Sequence, residues 1–457
     1  MSSNDSFRAG AAKVDITPPL GTIINGDFVT HYARYVHDPL YAKALVLQDS
    51  KTTLVLVVVD ICVMPQDFLD DVKARIRART GIPASHILIS STHTHAAGSV
   101  ADVHLVGADL GYRQKLPPLL VEAVVRAQEK LRPARVAFGA VEVPEHVVCR
   151  RYFMKEGYAP FNPVTGGTDA VKTNPLGAEA YIDRRAASPD PQLGFLAVQG
   201  TDGRWISLLA NYSLHYVGDW ENGTISADYF GEFSQQIQQK LGADDDFVGM
   251  MSNGTSGDVN IWDFVDNSRY PTGYFEKSKR IAADLVEKVA EALPQLDWQS
   301  TPQLAALTDK VPLATQKPTP EELAAARQVV ADSQYEGLTP DEAGLRKIYA
   351  REQVLLGEFP DTTSGPVQVL RIGDGVIGGL PGEFFAETGL WLKASTPSPH
   401  YFTIGLANGN LGYVPPAHER ERGGYETWRC RISYLEAGAE EKMREVLLQL
   451  IQTLYTA

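Results

Sequence analysis

Cysteine is scarce: Cys62, Cys149 and Cys430 stand far apart in 457 residues, with no CxxC spacing. That excludes a disulfide framework and a thiolate metal site. Excess positive charge is missing as well. A formal net charge of −14 argues against nucleic acid and anionic membrane surfaces, which attract faces rich in Lys and Arg. No apolar run is long enough to span a bilayer; Thr53–Val59 is strand-sized. The start, Met1-Ser-Ser-Asn-Asp-Ser-Phe-Arg-Ala, lacks the basic and then apolar order of a secretory leader. Internal repeats and low-complexity tracts are absent too. These absences lead us to expect a reduced, cytoplasmic protein with no nucleic-acid partner and no stable membrane association. The length allows two or three domains of about 150 residues, but large α/β enzymes exceed that prior, and one unit over 1–457 is expected.

What is present is an α/β pattern. Leu54–Asp60 reads as a buried strand, Pro65–Thr80 as a helix ending near Gly81, and residues 86–90 as the next strand. That order favours a parallel pair with a crossover helix. Pro117–Leu131 reads as a second helix and Arg135–Val141 as a strand. Residues 150–192, rich in Gly, Pro, Asn and Asp, read as a long functional loop and a wall of the site. Leu193–Val198 and Trp205–Tyr212 form a hairpin-like pair, Asp228 is placed to cap a helix over 229–241, and Phe247–Met251 is another strand. Pro271–Leu293 reads as a long helix, Pro366–Ile377 and Tyr401–Leu406 as strands, and Ala439–Thr453 as a closing helix. Thr319-Pro-Glu-Glu322 and Thr339-Pro-Asp-Glu342 each resemble a helix cap with proline at the first helical position. They predict an inserted helical hairpin over about 319–357. The expected fold is therefore a mixed, largely parallel sheet flanked by helices, carrying that hairpin.

The chemistry concentrates where apolar strands run into polar residues. The run His86-Ile-Leu-Ile-Ser-Ser-Thr-His-Thr-His95 ends in two histidines. If the extended conformation persists, His93 and His95 point the same way, at the strand end where open α/β sheets place ligands. Trp205–Tyr212 runs into His215, Val367–Leu380 into Pro381-Gly-Glu383, and Tyr401–Leu406 into a segment ending at Tyr413. Side by side, these strands bring His93, His215, Glu383 and Tyr413 together, a nitrogen and oxygen donor set that zinc accepts. Trp220, Tyr152, Phe153 and Trp428 are candidates for a pocket wall or for the core.

The order of further motifs resembles one family along almost the whole chain. They are Asp15-Ile-Thr-Pro-Pro, Asp38-Pro-Leu-Tyr-Ala-Lys-Ala-Leu, Thr92-His-Thr-His95, Asn211-Tyr-Ser-Leu-His215, Gly257-Asp-Val259, Leu380-Pro-Gly-Glu-Phe384, and Gly405-Leu-Ala-Asn408 with Gly412-Tyr-Val414. The chain is similar to the neutral, non-lysosomal ceramidases in their amino-terminal catalytic domain. The resemblance implies one Zn2+ per chain, held by His93, His215, Glu383 and Tyr413. It places His95 and Tyr425 beside the scissile carbonyl and brings in an arginine, Arg150 or its rival Arg151.

Two departures matter. The family pattern Gly-Asp-Val-Ser-Pro carries a serine proposed as nucleophile, where this chain reads Gly257-Asp-Val-Asn260-Ile. Ser252 and Ser256 lie nearby, so a serine mechanism is disfavoured and a zinc-water mechanism is untouched. Only one helix follows Tyr425, so the family's carboxy-terminal immunoglobulin-like domain is not expected. The expected activity is hydrolysis of an amide of a soluble small molecule, with an ester or lactone, or a non-catalytic binding role, as alternatives. In that reading a zinc-bound water attacks the carbonyl. Tyr425, His95 and Arg150 are the donor types an oxyanion needs, and His95 is the first choice as general acid. Asp258 either orients one of these groups or stabilises its own turn.

Overall fold

Tight connections decide the main sheet. Strands Tyr41–Gln48 (β2) and Thr53–Val59 (β3) are joined by four residues, as are Gln192–Gly200 (β6) and Trp205–Tyr212 (β7), and links this short permit only antiparallel pairing. With Arg8–Asp15 (β1), Ile87–Ser91 (β4), Arg132–Glu142 (β5) and Val248–Asn253 (β8), they make an eight-stranded sheet of order β8-β7-β6-β5-β1-β2-β3-β4. The structure, a computed structural model, describes residues 7–266 and 268–456; the reading of residues 1–6 as leader-free lies outside them.

The sheet is mixed and helix-flanked, as expected, but not largely parallel. Only β3–β4 and β7–β8 are parallel, at the two edges, and they are the pairs that own crossover helices, Gln66–Thr80 (α1) and Asp228–Leu241 (α3). The misleading signal was a continuous apolar run such as Leu54–Val59, every residue of it buried. Such runs mark strands covered on both faces, and here the second cover is another sheet. One face carries α1, α3, Leu110–Glu129 (α2) and Glu276–Ala292 (α4). The other face, through Leu45, Leu56, Leu88 and Met250, packs on Leu370, Ile377 and Phe402 of a four-stranded sheet. Its strands are Leu304–Ala314 (β9), Thr362–Ile372 (β10), Gly375–Gly379 (β11) and His400–Ile404 (β12). Helices Ala386–Ser395 (α7) and Ala439–Thr456 (α8) cover its outer face through Leu392, Met443, Leu447 and Ile451. The layers run helix, sheet, sheet, helix.

Other expectations shift by identifiable causes. α2 starts at Leu110, seven residues before Pro117, because the Asp109 side chain accepts the Tyr112 N–H as cap; both prolines lie inside the helix. The single strand read over Pro366–Ile377 is two antiparallel strands, β10 and β11, turned at Gly373, whose φ is 63°. The hairpin insertion is present as Pro320–Ala331 (α5) and Glu342–Gly357 (α6). Thr319 and Glu322 form a reciprocal capping box, but the second cap is Asp341 rather than Thr339. Residues 150–192 hold a small three-stranded sheet of Arg151–Met154, Val171–Thr173 and Ile182–Arg185. Asp228 is the first residue of α3 and not the residue before it, at φ 56°, and its carboxylate accepts the Val217 and Tyr229 N–H groups. Asp38, 189 residues from Ala227, accepts from Ser226 Oγ and the Ala227 N–H just before the helix. Among the described residues, no helix is long and apolar enough to cross a membrane.

The large sheet curls until its two edge strands meet at their carboxyl ends. Asn253, ending β8, donates its amide to the Thr92 carbonyl beyond β4 at 3.2 Å. The segment after β12 bridges the two edges: Gly405 N–H donates to Asn253 O at 3.0 Å, and Ser91 N–H to Leu406 O at 3.3 Å.

Candidate metal centre

Each member of the centre is aimed by backbone. Strand β4 ends at Ser91, and His93 sits in the left-handed region at φ 77°, a costly conformation for a non-glycine residue. Two bonds hold it there: its N–H donates to Ile61 O at 3.0 Å, and its Nδ1 lies 2.9 Å from Cys62 O. His93 and His95 do converge, with Nε2 atoms 3.1 Å apart, but through this turn and not through strand alternation. His215 follows β7 and sets its Nδ1 3.1 Å from Ser256 O. Glu383 and Tyr413 face each other in a two-residue parallel ladder.

The result is a buried cluster in which His93, His215 and Glu383 offer ligand atoms close together. His93 Nε2 lies 3.1 Å from His215 Nε2, and Glu383 Oε2 lies 3.4 and 3.5 Å from the two nitrogens. Because each Nδ1 faces a carbonyl, each Nδ1 carries the proton, and the lone pairs of both Nε2 atoms point at one another. Glu383 Oε2 adds a third acceptor, buried and without a hydrogen-bond partner among the described residues. Acceptors facing at these distances repel unless a positive charge lies between them. A proton on His93 meets that need in part. Burial disfavours it, but Cys62 and Glu383 carry the His93 imidazole well above its ordinary value. One proton bridges one of the two 3.1 Å nitrogen contacts. A metal ion satisfies the whole set, since tetrahedral ligands at zinc distances stand about 3.3 Å apart. The donors present therefore fit such an ion.

Around this centre stand groups able to donate. Arg150 is buried and pinned on three sides, by Glu426 Oε1 at 2.8 Å, Gly257 O at 2.7 Å and the Tyr413 hydroxyl at 3.1 Å. Burial opposes its charge, but Tyr413 and Glu426 hold it cationic. Burial, then Glu383, raises both the Tyr413 and the Tyr425 hydroxyls well above their ordinary values. His95 is stacked on the Tyr216 ring at 3.7 Å. Burial, then His93 and Arg150, holds its imidazole well below the usual value. Burial, then Arg150, does the same to His215.

Not every candidate joins the cluster. The Asp258 carboxylate accepts the Ala386 N–H at the start of α7, and only its backbone carbonyl reaches Arg150. Arg151 is buried in ion pairs with Glu419 and Glu426, and it is Arg150 that reaches the Tyr413 hydroxyl. Ser256 Oγ donates to Asn253 Oδ1 and Ser252 Oγ to Ala210 O, which ties up both hydroxyls. Tyr152 lies in the core and Trp428 packs on Tyr349 and Tyr425, while Phe153 sits under Arg184 and Arg422. Trp220 alone of those aromatics lines a groove. Sequence reading missed Tyr216, Glu426, Cys62 and Gly26. Tyr216 and Glu426 adjoin His215 and Tyr425, a local signal, but Glu426 meets Arg150 across 276 positions, and no spacing announces that.

Comparison with known proteins identifies the family and the fold. The family model described as neutral/alkaline non-lysosomal ceramidase, N-terminal, matches residues 7–262. A ceramidase complexed with C2 is similar over 99% of this chain and 76% of its own, at TM-score 0.73 and 17% identity. The neutral ceramidase from Pseudomonas aeruginosa is similar over 99% and 75%, at TM-score 0.73 and 18% identity.

Proposed function

Because the chain belongs to the neutral/alkaline non-lysosomal ceramidase family, we propose that it is a zinc-dependent amidohydrolase acting on a soluble small molecule. His93, His215, Glu383 and Tyr413 would hold one Zn2+ ion. Such an ion lowers the pKa of a water to about 7 and polarises a carbonyl. The observation that carries this reading is the pair of Nε2 atoms facing each other at 3.1 Å, each ring with its Nδ1 on a backbone carbonyl, beside a carboxylate oxygen without a hydrogen-bond partner among the described residues.

The surrounding residues then divide the remaining work. Arg150 is a fixed cation and Tyr425 a hydroxyl kept protonated by burial, so both present hydrogen-bond donors to an oxyanion. Removing one such preorganised donor costs about a hundredfold or more in rate. His95, held neutral near pH 7 by burial, takes a proton from the attacking water at Nε2 and returns it to the leaving nitrogen. Ser252 and Ser256 both have their hydroxyls engaged, and Asn260 occupies the position where the family's serine would stand.

Elemental analysis of protein purified without chelator tests the reading, beside His93→Ala and His215→Ala. About one zinc per chain in the parent, lost in both variants, is expected, followed by hydrolysis in a screen of small N-acyl amides. Absence of metal from every sample, even after zinc is offered at neutral pH, would remove the hydrolase mechanism.

A further inference from the structure

An aromatic groove of about 530 Å³ opens beside the centre, walled by Trp220, Trp262, Phe264 and Tyr274. It is joined to His95 through Tyr216, whose ring stacks on His95 at 3.7 Å and touches Trp262 edge-on at 6.2 Å. Behind this lining, next to Ile261, Asn260 Nδ2 donates to Oδ1 of the lining residue Asn174 at 2.6 Å. Asn260 is 3% exposed, and its own Oδ1 has no hydrogen-bond partner among the described residues. A buried acceptor left this way is costly, so its persistence calls for an explanation. Asn174 lines the groove, at φ 46°, with its N–H bonded to the Arg150 carbonyl at 2.9 Å. Asn260 pairs with Val148 in a short ladder that leads into Arg150 two residues on. The backbone of the amide pair therefore links the segment that carries Arg150 to the lining of the groove.

The geometry points to a substrate-reading subsite: Asn260 Oδ1 accepts from, and Asn174 Nδ2 donates to, a neutral amide group that the substrate carries next to an aromatic ring. This deepens the hydrolase reading and rests on it for the position of the scissile carbonyl. It selects a peptide-like substrate over one with a bare hydrocarbon chain. A site built around buried hydrogen-bonding groups rejects analogues that lack the partner, because those groups are then left unpaired. The substrate ring would lie against Trp220 and Trp262, where aromatic stacking adds to burial.

A matched pair of probes separates the effect of the amide from that of the ring. N-Acetylphenylalaninamide and 3-phenylpropanamide share a phenyl ring and a primary amide, and only the first carries an acetamido group. Calorimetric titration of zinc-loaded and chelator-treated protein should show the acetamido probe binding about tenfold or more tightly, the equivalent of roughly 1.4 kcal/mol. Asn260→Leu should erase the preference. Asn174→Gly should erase it too, and it removes the side chain at a positive φ that glycine tolerates. Trp262→Ala should weaken both probes alike. Equal affinities in the parent protein, no saturable binding of the acetamido probe, or a preference that survives both Asn variants overturns the subsite. A preference seen in protein that takes up no zinc keeps the subsite and removes only the metal reading.

Discussion

The Nε2 atoms of His93 and His215 face each other at 3.1 Å, although the two residues follow strands near opposite edges of the same sheet. Both have spent their Nδ1 proton on a backbone carbonyl, His93 on Cys62 and His215 on Ser256. The backbone therefore chooses the tautomer, and the tautomer chooses the ligand atom.

A cation held between these atoms binds the folded chain and not the unfolded one, so it must stabilise the protein. Zinc at about a hundred times its dissociation constant adds about 2.7 kcal/mol. Thermal melts should rise with zinc and fall with chelator in the parent. His215→Ala should respond to neither, and a parent melt indifferent to both would count against the centre.

Gly26 holds His95 from behind. Its φ is 110°, and a Cβ there would stand 2.4 Å from the His95 ring. Gly26→Ala must therefore displace the imidazole. Since a misplacement of about 1 Å can cost a hundredfold in rate, amide hydrolysis should fall by about that much while zinc content stays at the parent level. Unchanged turnover would show that His95 takes no part.

Glu426 ties the site arginine to the chain that carries Tyr425. Its two oxygens accept from Arg150, Arg151 and Thr173, all at 2.7–2.8 Å. Replacing it with alanine leaves two buried guanidinium groups without their shared partner, a loss of about 3–5 kcal/mol for a broken buried pair. Urea unfolding of Glu426→Ala should show a drop of that order. A shift below about 1 kcal/mol would mean the network contributes little.

Asp258 gives stability a pH dependence. Burial pushes its carboxyl up to about 6, against the helpful Ala386 N–H. Between pH 4 and 6 the folded chain keeps a proton that the unfolded chain has lost. The contribution of this group is therefore full below about pH 4 and declines as pH rises to about 6, by at most about 1.4 kcal/mol per unit. Asp258→Asn should cancel that slope. Urea titrations of both proteins at pH 4, 5, 6 and 7 test it, and parallel curves would exclude the assignment.

Several features needed no tertiary information. The helices at 66–80 and 228–241 and the strands leading to His93 and His215 were legible because period, caps and turn residues act over a few positions. So was the donor chemistry of His93, His215 and Glu383, which depends on residue type and motif order and which the structure brings together. Sheet direction was not legible, because a strand buried by helices and a strand buried by a second sheet look alike in sequence. Nor was the turn at His93, whose positive φ is held by Ile61 and Cys62, just beyond the end of the neighbouring strand β3. The curl that brings the edges together depends on Asn253 reaching Thr92 across 161 positions. Local chemistry selected the residues, and long-range hydrogen bonds decided that they meet, because only closure of the chain can satisfy the buried polar groups at the ends of those strands.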